Sequence, residues 1–138
     1  MANLTDEQRR YLEDVRFAVL ATMNPSGTPQ QTVMWYYLDG DDLVMNTMRG
    51  RKKDRNLLLA PRASACVEDG YRYLTLTGPI TLDDDPVSAQ VDIARLATRY
   101  HGREQAEQMM RDDFSKQERV TLRLAIEGID AHGFGGDA

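Results

Sequence analysis

The chain has 138 residues, 41% hydrophobic and 28% charged, enough for one packed domain and too ordinary a composition for wholesale disorder. A formal net charge of -5 argues against a dedicated nucleic-acid binder, which would carry a basic surplus. A lone cysteine, Cys66, excludes an internal disulfide framework, no apolar run is long enough to cross a bilayer, and the start Asn3-Leu4-Thr5-Asp6-Glu7 lacks a secretory pattern, so a cytoplasmic setting away from membranes is expected.

In chain order, Thr5-Asp6-Glu7-Gln8 has capping-box spacing and predicts a short helix to about Asp14, with Leu4, Tyr11 and Val15 on its apolar side. The apolar run 17–23, stopped by Asn24-Pro25-Ser26-Gly27, reads as a buried strand and a turn. Residues 28–38 are β-branched and aromatic, Asp39-Gly40-Asp41-Asp42 turns the chain, and 43–47 is the returning strand. A loop through residues 48–56 feeds a short helix stopped by Pro61. Residues 63–67 and the alternating run 71–82 are two further strands, and Gly78-Pro79 inside the latter suggests a bulge or an edge. Asp83-Asp84-Asp85-Pro86 starts a helix whose stripe is Val91, Ala94, Leu96, Ala97 and Tyr100, and a polar helix is expected over 104–113. Residues 119–126 alternate as a half-buried strand with Val120, Leu122, Leu124 and Ile126 inward, and 133–138 is expected to be loose. Six strands joined by short turns predict a mainly β, antiparallel barrel with α insertions rather than a doubly wound fold.

The informative segment is basic. Five cations occupy the seven positions 49–55, in a chain that is acidic overall. A solvated helix face is the bland explanation. Yet Arg and Lys at a helix entry oppose its dipole, and Asp54 answers only one of them. A bound phosphate reverses that sign, because N–H groups and cationic side chains then converge on an anion. The loop has no Walker pattern, and Gly133-Phe134-Gly135-Gly136 is followed by no helix, so neither nucleotide fingerprint applies.

Taken with the segments 17–22, 24–30, 33–36, 49–57, 60–63 and 73–78, the chain resembles the pyridoxamine-phosphate-oxidase-like split β-barrels, particularly their deazaflavin- and flavin-dependent oxidoreductases. The resemblance covers about residues 11–133. It implies a six-stranded antiparallel split barrel and a cofactor, coenzyme F420 or alternatively FMN. The cofactor phosphate would be gripped by Arg51 and Lys53, with Arg49 or Lys52 as extra contacts. The ring would lie against Gln31, Thr32, Val33, Met34 and Trp35, largely on backbone, and Asn46 and Thr47 would help hold the ribityl-phosphate arm. Met34 stands where relatives often carry Pro. The family are usually homodimers with the cofactor at the interface, so Tyr71, Tyr73 and Trp35 would be shared between chains. Plain packing explains Trp35 and Tyr73 equally well.

The residues themselves offer no nucleophile–base constellation and no His-Glu-x-x-His or paired-cysteine metal spacing. Hydride transfer tolerates this, because the cofactor supplies the chemistry and the protein orients it. The expected activity is hydride transfer between F420 and an unsaturated or carbonyl-containing small molecule, with water or a tyrosine giving the proton. The phosphate loop, richer than a bare Arg-x-Lys, leans toward F420, whose acidic tail would leave along Arg49, Lys52 and Arg55. The alternatives are an FMN enzyme, such as a flavin reductase or pyridoxamine-phosphate oxidase, and a non-catalytic cofactor or haem carrier.

Overall fold

The computed structural model describes residues 3–135. Helix α1 (Asp6–Glu13) begins with the expected capping box: Thr5 Oγ1 accepts the Gln8 N–H at 3.1 Å while Gln8 Oε1 accepts the Thr5 N–H at 3.0 Å. Then come β1 (Ala18–Met23), β2 (Pro29–Met34), β3 (Tyr37–Asp39), β4 (Asp42–Met48), α2 (Lys52–Leu59), β5 (Arg62–Glu68) and β6 (Tyr73–Asp83). Helices α3 (Pro86–His101) and α4 (Arg103–Asp112) lead through a single 3-10 turn (Phe114–Lys116) into β7 (Arg119–Ala125) and β8 (Gly128–His132).

The eight strands form a curled, wholly antiparallel sheet in the order β2-β1-β5-β6-β7-β4-β3, with β8 added to the free side of β6: a split barrel. Two more strands appear than the six expected. The run 28–38 breaks at Trp35-Tyr36 into β2 and β3, and the mixed segment Gly128–His132 pairs with β6 although its own pattern is too weak to announce a strand.

Strand β6 holds the halves together. Tyr73 to Thr77 lie between β5 and β8, whereas Ile80 to Asp83 pair with β7. Gly78-Pro79 is therefore neither bulge nor sheet edge; it is where the strand changes partners. An added Cβ on Gly78 would lie 1.8 Å from the Ala125 carbonyl oxygen, so only glycine lets the chains pass.

Leu20, Leu43, Met45, Leu57, Leu74, Leu76, Leu122 and Leu124 fill the barrel at 1% exposure or less, so α2 contributes Leu57 to the interior. Helix α3 packs outside, its Ile93 and Leu96 against Tyr37 and Val44, which is why β4 is buried on both faces. Of the expected α3 stripe, Leu96 and Ala97 are buried but Val91 points to solvent, as does Val15 after α1. Cys66 is half-buried on the outward face of β5 rather than a core residue. The expected loose tail is anchored in its first part: Phe134 is 5% exposed, packs edge-on against Tyr11 at 5.0 Å, and is followed by a 3.0 Å bond from the Gly135 N–H to Glu7. The rest of that expectation, residues 136–138, lies outside the described residues.

Replacing Gly78 by alanine forces backbone apart at the partner switch. The Gly78→Ala variant is expected to lose about 3 kcal/mol or more of stability, read as a lowered urea midpoint at unchanged slope. A wild-type midpoint would contradict the close approach.

Candidate functional site

A cavity of about 220 Å³ opens at the seam of the barrel. The end of β2 supplies Thr32, Val33 and Met34, followed by Trp35; the end of β4 supplies Asn46, Thr47 and Met48; the entry to α2 supplies Arg51 and Lys53. Ile93 and Leu96 of α3, Phe114 of the 3-10 turn and Arg119 at the start of β7 complete it. Because β2 is a terminal strand of the sheet, its second edge carries backbone groups that no other strand among the described residues uses.

The α2 entry shows how the basic loop is built. Gly50 takes φ +89°, a conformation that favours glycine. Asp54, fully buried at the third helical position, reaches back to accept the Gly50 N–H at 2.8 Å and lies 3.2 Å from Arg49 Nε. Arg49 also meets Asp84 at 3.7 Å. One acid thus shapes the loop and engages Arg49, and a carboxylate at this end suits the helix dipole. Arg51, the N-cap residue, and Lys53 have no carboxylate within ion-pair distance among the described residues.

The cavity therefore gathers cations without acids. Lys53 is 8% exposed, and burial, then the charges of Arg51 and Arg119, hold its ammonium below the ordinary lysine range despite Asp54. Burial and Arg51 pull Arg119 down to about 10, so it stays charged at neutral pH. The Arg119 guanidinium donates from Nε to Asn46 Oδ1 at 2.9 Å and from Nη1 to Gln117 Oε1 at 2.7 Å, and lies 5.0 Å from the Phe114 ring centre. Trp35 stacks on Tyr100 at 5.3 Å and meets Phe114 edge-on at 6.2 Å, giving an aromatic wall beside the cations.

Of the residues singled out from sequence, Thr32, Val33, Met34, Trp35, Asn46, Thr47, Arg51 and Lys53 come together on this cavity. Gln31, exposed on β2, does not line it, and Arg49 is turned to Asp54 and Asp84. Lys52 and Arg55 line a separate groove with Pro25, Asn56 and Leu59. Tyr73, on β6 and 40% exposed, stacks on His132 at 5.3 Å instead. Met48, Ile93, Leu96, Phe114 and Arg119 were not singled out. Arg119 carried no distinct signal: it reads as one of the outward polar positions of β7, with Thr121 and Arg123.

No tyrosine lines this cavity among the described residues. Tyr36 donates to the Leu12 carbonyl at 2.9 Å and Tyr37 to Asp92 at 3.0 Å, and the Tyr100 hydroxyl sits between the Arg16 carbonyl and the Tyr36 backbone. Burial raises all three above the ordinary phenol value, Tyr36 the most. Nor do the described residues hold three metal-ligating side chains together, or a helix long and apolar enough to cross a membrane.

The Lys53 shift has a definite sign. An unfolded chain holds that proton more tightly than the folded one, so the charged lysine costs the folded state at neutral pH, and the cost fades as pH rises toward the ordinary lysine value of about 10.4. Lys53→Met is expected to melt above the wild type at pH 7 in phosphate-free buffer, the gap narrowing near pH 10. A lower melting temperature at pH 7 would contradict the repulsive cluster.

Comparison with known proteins bears on the fold and the family. No curated protein matches the sequence. Among solved structures, one described as an F420 reductase is 26% identical, covers 92% of this chain and 98% of its own, and superposes with a TM-score of 0.74. A conserved hypothetical protein, Rv2991 from Mycobacterium tuberculosis, is 23% identical, with 100% and 92% covered and a TM-score of 0.74. HutZ, the heme storage protein from Vibrio cholerae, shares the fold at 17% identity, with 97% and 98% covered and a TM-score of 0.72. Residues 4–133 match the family described as pyridoxamine 5'-phosphate oxidase, nearly the whole of the described chain, and the protein belongs to that family.

Proposed function

We propose that the protein is an F420-dependent oxidoreductase whose seam cavity takes the cofactor phosphate and ribityl arm. The observation that carries the reading is the meeting of Arg51 and Lys53, without a carboxylate among the cavity-lining residues, beside the unpaired edge of β2. Those residues fit an organic phosphate next to a flat ring: cations for the anion, Trp35 and Phe114 as apolar wall, and strand backbone for ring heteroatoms. The deazaflavin, when bound, supplies hydride chemistry from its central ring. The chain's part is to bind the phosphate, orient the ring along β2 and keep water from its covered face. With the nearby tyrosine hydroxyls spent on protein partners, the proton for substrate comes from water.

F420 is preferred over FMN because the cavity's cations exceed a minimal pair and because of the likeness to the protein described as an F420 reductase. The acidic tail does not follow Arg49, Lys52 and Arg55 in this reading, since Arg49 is engaged and the other two face another groove. Arg51, exposed at the mouth, is the cation left to meet it. The cavity's 220 Å³ is small beside the usual 300–1,000 Å³ of ligand pockets, and Val33 at its lip is 65% exposed. A second copy of the chain covers the ring in the working protein, a homodimer in the cytoplasm.

Fluorescence titration of the purified protein with F420 and with FMN tests this. Micromolar F420 binding without FMN binding is expected, together with oxidation of reduced F420 by a panel of enones and quinones. Arg51→Gln and Lys53→Met should each weaken F420 by about 10- to 100-fold, one charge-assisted hydrogen bond apiece. Binding of FMN alone, or unchanged retention in both variants, would overturn the assignment.

A further inference from the structure

We propose that Arg119 is a third anion-binding residue of the seam cavity and that Asn46 is the residue that positions it. The inference deepens the proposed function and rests on it. Arg119 lines the cavity with Arg51 and Lys53, and comes from β7, where it pairs with Met48 at the end of β4, some seventy positions along the chain. Its Nε and Nη1 are held by the uncharged acceptors Asn46 and Gln117, which fix the guanidinium without neutralising it. No carboxylate lies within 4 Å of it among the described residues, and Nη2 has no protein acceptor among them. Elsewhere on the same sheet the pattern differs: Arg123, four residues further along β7, bonds to both Asp39 and Asp42. A partly buried arginine left uncompensated next to two other cations is costly for an empty protein and favourable for one holding an anion.

The hydrogen bonds assign Asn46 its role. Its amide nitrogen donates to the Ala89 carbonyl at 3.0 Å and to Thr121 Oγ1 at 3.3 Å. A carbonyl only accepts, so the NH2 must face Ala89 and Oδ1 must face Arg119. Thr121 in turn donates to Asp92 Oδ2 at 2.6 Å, and Asp92 Oδ1 accepts from Tyr37. Donation thus runs from Arg119 at the cavity through Asn46 and Thr121 to Asp92 on α3, which also accepts from Tyr37. Both amide protons of Asn46 are spent on protein, so it acts on a ligand through Arg119.

The test reads phosphate recognition apart from ring binding. Wild type, Arg119→Gln, Arg119→Lys, Asn46→Ala and Thr121→Val are titrated with F420 and with the phosphate-free deazaflavin chromophore, and with FMN and riboflavin. Each is also melted with and without inorganic phosphate. Arg119→Gln should lose about 10- to 100-fold for the phosphate-bearing partner of each pair that binds, leave the phosphate-free partner unchanged, and lose the melting shift given by phosphate. Without anion it should melt at or above the wild type, because two like charges are relieved, so failure to fold is not the expected outcome. Arg119→Lys should recover part of the loss. Asn46→Ala, or the milder Thr121→Val, should narrow the ratio between the two partners with Arg119 still present, which a purely structural defect would not do. Wild-type phosphate discrimination in Arg119→Gln would overturn the assignment of Arg119 while leaving the proposed function standing. An unchanged ratio in both network variants would overturn the role of Asn46. A wild type that binds no cofactor and gains nothing from phosphate would overturn the proposed function, and this inference with it.

Discussion

The architecture depends on one strand serving two sheets. Strand β6 pairs with β8 up to Thr77, with β5 up to Pro79 and with β7 from Ile80, and the switch is possible because Gly78 lets the Ala125 carbonyl come within what would be a severe clash for any side chain. Joining the halves on this side leaves β2 and β3 as the two terminal strands of the order. The seam cavity lies between elements that the curl brings together: the β2 end, the β4 end, the α2 entry, α3 and the β7 start. Residues near 33, 47, 53, 94 and 119 meet for that reason and share no local sequence logic.

Electrostatics then divides the basic loop into two roles. Asp54 shapes the turn through the Gly50 N–H and engages Arg49. Among the described residues the neighbouring Arg51 and Lys53 receive no such acid and face the cavity, where Arg119 joins them from the adjacent strand β7. Salt bridges elsewhere, such as Arg9 with Asp41 and Arg123 with Asp39, show that the chain readily pairs its arginines. The absence of pairing here is local, and it opposes stability in the ligand-free protein.

Much of the fold was legible because local and global signals agreed. The Thr5 capping box, Pro86 at the start of α3 and the alternation of Val120, Leu122 and Leu124 all read directly into structure. Readings failed where tertiary partners decide. Val15 and Val91 are apolar by type but lie exposed among the described residues, while Phe134 is recruited by Tyr11, far away in sequence. Strand β8 exists through its pairing with β6 rather than its own pattern. The contiguous pieces of the cavity were visible as segments. Phe114, Ile93 and Arg119 were not, because each belongs to an element whose sequence looks like ordinary packing or surface.

Mutual repulsion among Lys53, Arg51 and Arg119 gives the empty protein a shallower energy well than its core alone would provide. Any anion that settles there adds to stability in proportion to the logarithm of its concentration over its dissociation constant. With the proposed anion seated there, turnover of the polypeptide would be tied to supply: where the filling anion is scarce more molecules would open and reach proteases, and where it is plentiful the same sequence would persist. The cavity would then govern how long the molecule survives as well as what it holds.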